Sequence, residues 1–133
     1  MTDGRQEVNV FEAVGGTAFF DELVERFYVG VEADLLLRPL YPEGDLTAER
    51  RHLALFLQQY WGGPGTYSEE RGHPRLRMRH APFVIGEAER DAWLRHMSGA
   101  RARRVVERGI PPELEAQLLS YFIGAADFLV NAR

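Results

Sequence analysis

The sequence predicts an all-α domain, and three observations carry that prediction. Seven prolines, at 39, 42, 64, 74, 82, 111 and 112, leave four long windows at 1–38, 43–63, 83–110 and 113–133. Proline breaks helix interiors, so helices are confined to such windows. Each window carries apolar residues at three- and four-residue intervals, and no segment sustains the two-residue alternation of a strand. The length of 133 residues suits one domain, 1–133, with residues 1–9 as a polar extension.

In the first window a short helical turn over 10–14 precedes a Gly15-Gly16 break. Phe20, Leu23, Val24, Phe27, Tyr28 and Val31 then line one face of a helix, with Thr17 as its candidate N-cap and Asp21 and Glu22 near its positive end. In the second, Thr47 is the candidate cap of a helix carrying Leu53, Phe56, Leu57 and Tyr60, stopped by Gly62-Gly63-Pro64. The third puts Trp93, Leu94, Met97 and Ala100 on one face of a helix over about 87–107. The fourth, opened by Pro111-Pro112, aligns Leu114, Leu118, Phe122, Ala125 and Leu129. Between the second and third, residues 62–82 form a long glycine-rich connection that turns dense in arginine and histidine. Connections of that length in a compact domain point to function or disorder.

Composition narrows the chemistry. With 45% hydrophobic and 27% charged residues the chain is globular. Without cysteine it has no disulfide, thiolate nucleophile or iron–sulfur cluster. All sixteen basic residues are arginine, which removes Schiff-base chemistry and the Walker P-loop. A net charge of −4 argues against nucleic acid as a general partner. The N-terminal ten residues are polar, and the longest apolar stretch, 121–130, is interrupted by Asp127 and too short to span a bilayer. A cytoplasmic protein without a membrane span is expected.

Four histidines remain as the soft-metal ligands. His52 and His96 sit among charged neighbours on helices and read as rim residues. His73 precedes Pro74 at the start of a short helix, and His80 ends it, beside Pro82 and Phe83. Seven residues is two turns, about 10 Å, so these two cannot share an ion from that helix. The residues alone leave His80 between a structural role, which spacing favours, and a single axial ligand to a cofactor. Arg71, Arg75, Arg77 and Arg79 are either a solvated turn or a bidentate trap for a small dianion. Tyr28, Tyr41 and Trp93 either pack in the core or cluster round a cavity as hydrogen-bond donors.

Several stretches together resemble the truncated haemoglobins of the second group. They are Gly15-Gly16 before FxxLVxxFY ending at Tyr28, LYPEGDL around Tyr41, FLQQYWGGPGTYSEERGHPRLRMRHAPF from Phe56 to Phe83, and ERDAWLRHM around Trp93. The resemblance covers roughly residues 10 to 131. It implies a two-over-two helical sandwich around one haem b, with His80 as proximal iron ligand and its other ring nitrogen on a backbone carbonyl. It places Tyr28, Tyr41 and Trp93 around the bound gas, with Leu53 and Phe56 as apolar walls. Arg77 and Arg79 would hold the propionates with Tyr67 at the same edge, and Phe83 and Met97 would make further cofactor contacts.

Such a multi-donor pocket implies tight binding of oxygen, nitric oxide or carbon monoxide rather than bulk transport. Nitric oxide dioxygenase or peroxidase-like activity is the enzymatic alternative, and it needs a separate reductase because the chain encodes no flavin or nicotinamide module. A homodimer is left open. Glu49 falls where group members generally place a small residue at the ligand gate. The competing expectation, from another class, is a colourless non-haem helical module that binds a partner through the arginine patch.

Overall fold

The computed structural model describes residues 9–132. Among the described residues there are seven α-helices, one 3-10 turn and no strand. The helices are α1 (Val10–Ala13), α2 (Thr17–Glu32), α3 (Thr47–Tyr60), α4 (Thr66–Arg71), α5 (Leu76–His80), α6 (Glu87–Arg108) and α7 (Pro112–Phe128), with the 3-10 turn at Arg38–Leu40. The four long helices occupy the four proline-bounded windows. α2 packs against α3 and, more extensively, α6, and α6 packs against α7, so the pair α2–α3 lies over the pair α6–α7.

The core between these layers is the set of stripes read from the periodicity. Phe19, Phe20, Leu23 and Phe27 of α2 are fully buried against Leu57, Met97, Leu118 and Phe122. Each such side chain contributes roughly 1.5–3 kcal/mol by leaving water. The α2–α6 crossing is close at Gly30, where an added Cβ would lie 2.9 Å from Cγ of His96. That imidazole bonds Asp34 Oδ2 at 2.6 Å, and Asp34 also accepts from the Leu36 amide, two contacts that hold its carboxyl below the usual carboxylate range.

Both expected threonine caps sit one residue inside their helices. Gly16 and Leu46 occupy the cap positions of α2 and α3, and Asp45 Oδ1 accepts the Thr47 amide at 3.2 Å in place of a threonine cap. The Gly62-Gly63 stop has a second role. Asn9 Nδ2 donates to the Gly62 carbonyl at 3.1 Å and the Phe11 amide to Trp61 O at 3.0 Å, docking α1 on the end of α3. A Cβ at Gly63 would fall 2.7 Å from the Phe11 ring and 2.9 Å from the Gln58 carbonyl, so only glycine admits this approach.

The stretch 62–82 is more ordered than its composition suggests. It contains α4, which has no periodic signal because its six residues carry one buried apolar side chain, Tyr67. Tertiary bonds fix it instead: Gln59 Nε2 donates to Ser68 Oγ at 2.7 Å and the Ser68 amide to Gln59 Oε1 at 2.9 Å. Two arginines are structural. Arg101 and Arg104 of α6 are buried, the first paired with Glu115 of α7 at 2.6 Å, the second with Glu22 of α2 and with Glu107. Among the described residues no helix is long and apolar enough to cross a membrane.

Candidate functional site

The apolar stripes do not end at the core. Leu53 and Phe56 of α3, Trp93 of α6, and Ala125 and Leu129 at the end of α7 are only half-buried because they face a cavity of about 410 Å³ rather than another helix. Tyr28 of α2, Tyr41, Tyr67 of α4, Arg79 and His80 of α5, and Phe83 line the same space. Sequence positions as far apart as 28 and 129 therefore meet around one void.

Two expected cofactor contacts lie elsewhere. Arg77 stacks over the Phe128 ring, 4.7 Å from its centroid, and faces a separate cleft of about 320 Å³. Its spacing of three from His80 suggested a shared face, but the aromatic ring at the end of α7 gives the guanidinium a cation–π partner outside the cavity. Met97 has no exposed surface and belongs to the core. It follows Trp93 by one turn of α6, and within that turn the stripe passes from cavity wall to helix–helix contact.

His80 presents a defined tautomer. Its Nδ1 lies 2.6 Å from the carbonyl oxygen of Leu76, one turn earlier in α5. A carbonyl only accepts, so Nδ1 carries the hydrogen, and in the neutral ring Nε2 keeps its lone pair. The other histidines differ. His73 Nδ1 accepts the Arg75 amide at 3.1 Å, and His96 is occupied with Asp34. His52 lines the cavity, with Nη1 of Arg71 2.8 Å from its ring; burial and then the Arg71 charge push its pKa down. Reading His52 as a rim residue missed this contact. Glu49 and Leu53, and His52 and Phe56, are i,i+4 pairs on one face of α3, and all four line the cavity.

The donors are equally well defined. The Tyr28 and Tyr41 hydroxyls are hydrogen-bonding neighbours, and their rings meet edge-on at 5.7 Å. Burial drives the Tyr28 pKa upward and pushes Tyr41 to about 12, so both phenols stay protonated across the physiological range. A pair of bonded hydroxyls uses one proton between them, which leaves the other available to the cavity. The Trp93 indole is wedged edge-on to Phe27 at 5.3 Å and makes no hydrogen bond to another described residue. Arg71 lies 5.9 Å over the Tyr67 ring, and Arg79 donates to the carbonyls of Pro74 at 2.8 Å and Arg71 at 3.0 Å.

Chemically this is a mainly apolar chamber whose polar lining includes the imidazoles of His80 and His52, the phenols of Tyr28, Tyr41 and Tyr67, the Trp93 indole, the guanidinium groups of Arg71, Arg79 and Arg90, and the carboxyl groups of Glu49 and Glu89. No group of three or more histidine, cysteine, aspartate or glutamate side chains that could hold a metal ion occurs among the described residues. A metal that arrives already chelated and needs one axial nitrogen suits His80, and a flat apolar chelate with carboxylate arms suits the guanidinium groups. The residues fit haem.

Comparisons with known proteins agree with that fit. A family model described as bacterial-like globin matches residues 9–125. Group 2 truncated hemoglobin YjbI of Bacillus subtilis is 47% identical over 90 residues, 68% of this chain and 67% of that protein. The crystal structure of a thermostable hemoglobin from the actinobacterium Thermobifida fusca superposes with a TM-score of 0.88 at 54% identity, covering 93% of this chain and 98% of that one. The hemoglobin of the thermophilic phototrophic bacterium Chloroflexus aurantiacus gives 0.87 at 50% identity, covering 94% and 99%. The chain belongs to the bacterial-like globins, and among them to the truncated haemoglobins of group II, a family whose fold implies haem-based binding of small ligands.

Proposed function

We propose that this chain holds one haem b through Nε2 of His80 and binds oxygen, and also nitric oxide or carbon monoxide, beside Tyr41, Tyr28 and Trp93. The observation that carries the reading is the His80–Leu76 hydrogen bond of 2.6 Å, which leaves the ligating nitrogen unprotonated in an apolar cavity. When bound, haem supplies an iron with one position left open to a small diatomic ligand. The absence of cysteine supports a haem held without thioether links.

The chain's own residues supply retention and selectivity. Leu53, Phe56 and Phe83 keep water from the chamber, and Arg71 and Arg79 favour carboxylates at its edge. One hydroxyl of the Tyr28–Tyr41 pair and the Trp93 N–H would serve as donors to an electron-rich ligand in the cavity. A hydrogen bond to a charged partner contributes roughly 1.5–3 kcal/mol, or about ten- to a hundredfold in ligand release. Two such donors favour retention over carriage, so high-affinity binding or oxidant removal suits the site better than bulk transport. Turnover of nitric oxide or peroxide would draw electrons from a separate reductase.

Titration of the purified chain with haemin tests the reading. A stoichiometric complex with a sharp Soret band and an imidazole-ligated iron is expected. A chain that stays colourless through the titration sinks the proposal and favours a protein-binding module instead.

A further inference from the structure

The helix that carries His80 is five residues long, starts from a left-handed Arg75 at φ 46°, and has no extensive contact with any other helix. Packing therefore does not hold it. Upstream it is braced by the Arg79 guanidinium on the Pro74 and Arg71 carbonyls. Downstream, the carbonyls that any helix end leaves unsatisfied need partners.

We infer that Asn131 is a positioning residue for His80, acting as a clasp between the end of α7 and the turn that follows α5. This inference rests on the haem-binding reading above. The side chain works in both directions. Asn131 Oδ1 accepts the Ile85 amide at 2.9 Å, while Nδ2 donates to the Phe83 carbonyl at 2.9 Å and, at 3.4 Å, to the carbonyl of His80 itself. The backbone closes the same joint, with the Asn131 and Ala132 amides both donating to Ile85 O at 2.8 and 3.1 Å. The His80 carbonyl also receives the Phe83 amide at 3.0 Å, so the three-residue turn and the clasp converge on the ligand's own backbone. α7 meanwhile lines the cavity through Phe122 and Ala126, and Leu129, just past its end, does the same. One asparagine thus links the wall that a cofactor would rest on to the helix that would ligate it. An amide is needed because donor and acceptor are required at once; no other side chain of this length offers both in one plane except aspartic acid in its protonated form.

Three haemin-reconstituted chains test this: the wild type, Asn131→Ala, and Asn131→Asp, which keeps the acceptor for Ile85 but replaces the donor by a second acceptor. The rate of haem transfer to an excess apo-globin scavenger is expected to rise on the order of tenfold in Asn131→Ala. Asn131→Asp is expected to be no better. The iron–imidazole stretching band of the ferrous forms should shift or broaden in both variants, which a general loss of stability does not produce. In the cofactor-free chains the Ile85 amide should exchange faster with solvent in Asn131→Ala. Unchanged transfer rates and an unchanged iron–imidazole band overturn the inference, as does a wild-type-like Asn131→Asp. A wild-type chain that takes up no haem, or takes it up without His80, overturns the underlying reading instead.

Discussion

The two sides of the cavity are built on different principles. Tyr28 and Trp93 stand on helices of 16 and 22 residues that pack along their length, with Phe27 edge-on to both rings at 5.0 and 5.3 Å. Arg71, Arg79 and His80 stand on helices of six and five residues. There the fixing contacts are hydrogen bonds, from Gln59 to Ser68, from Arg79 to Pro74 and Arg71, and from His80 to Leu76. Van der Waals packing on one side fixes donors to within a rotamer. Stitching on the other side fixes a ligand only as well as its few bonds do. The donor side should therefore respond to substitution through ligand affinity, and the histidine side through cofactor retention.

The largest expected effect breaks the second side outright. His80→Gly should lose stable haem binding, and free imidazole should restore a Soret band by filling the vacated site. Retention of haem by this variant without imidazole would show that another residue ligates the iron. Next come the donors. Trp93→Phe and Tyr41→Phe should each speed oxygen dissociation by about ten- to a hundredfold while leaving haem transfer unchanged, read by stopped-flow release. An equal effect of Tyr28→Phe would mean that the two phenols act on the ligand as a pair.

Smaller effects separate the arginines. Arg79→Ala removes two bonds to backbone carbonyls and should cost about 1 kcal/mol of stability per bond, with faster haem transfer. Arg77→Ala, whose contact is an exposed cation–π stack, should change thermal stability by no more than about 1 kcal/mol and haem transfer hardly at all. A reversal of that order would return Arg77 to the cofactor. The last effect is confined to alkaline pH. Tyr41 titrates near 12 in the folded chain against about 10 unfolded, so the folded state holds its proton longer. Stability linked to it is complete below pH 10 and falls as pH rises from 10 through 12. Tyr41→Phe should make that alkaline slope shallower, in melts recorded at a series of pH values, with the buried Tyr28 phenol supplying part of what remains.

The same contrast explains what could be read from the sequence. The four long helices and the core stripes were legible because periodicity over 14 to 22 residues reports packing directly. Tyr28, Leu53, Phe56 and Trp93 belong to those stripes, so the packed side of the cavity was legible with them. α4 was not, because its register is set by Gln59, seven residues before its first residue and outside the helix. The direction of Arg77 was not legible for a related reason: three residues of separation on a single-turn helix do not fix it when a ring on α7 competes for the charge. His80 itself rested on a long matching motif. Residue spacing alone favoured the structural reading, and it could not reveal the Leu76 bond that sets the ring's tautomer.

The close crossing of α2 and α6 has a consequence for anyone building variant libraries of this chain. Position 30 accepts a side chain only if the imidazole at position 96 moves away or is replaced, since even a methyl group at Gly30 would overlap the His96 ring as it stands. Asp34 would then lose the partner that helps hold its charge. The three positions behave as one heritable unit. Changed singly, each substitution scores as harmful; changed together, a small residue at 96 and a neutral one at 34 could make alanine at 30 harmless or better. Single-site scans will therefore record Gly30 as immutable when it is merely coupled.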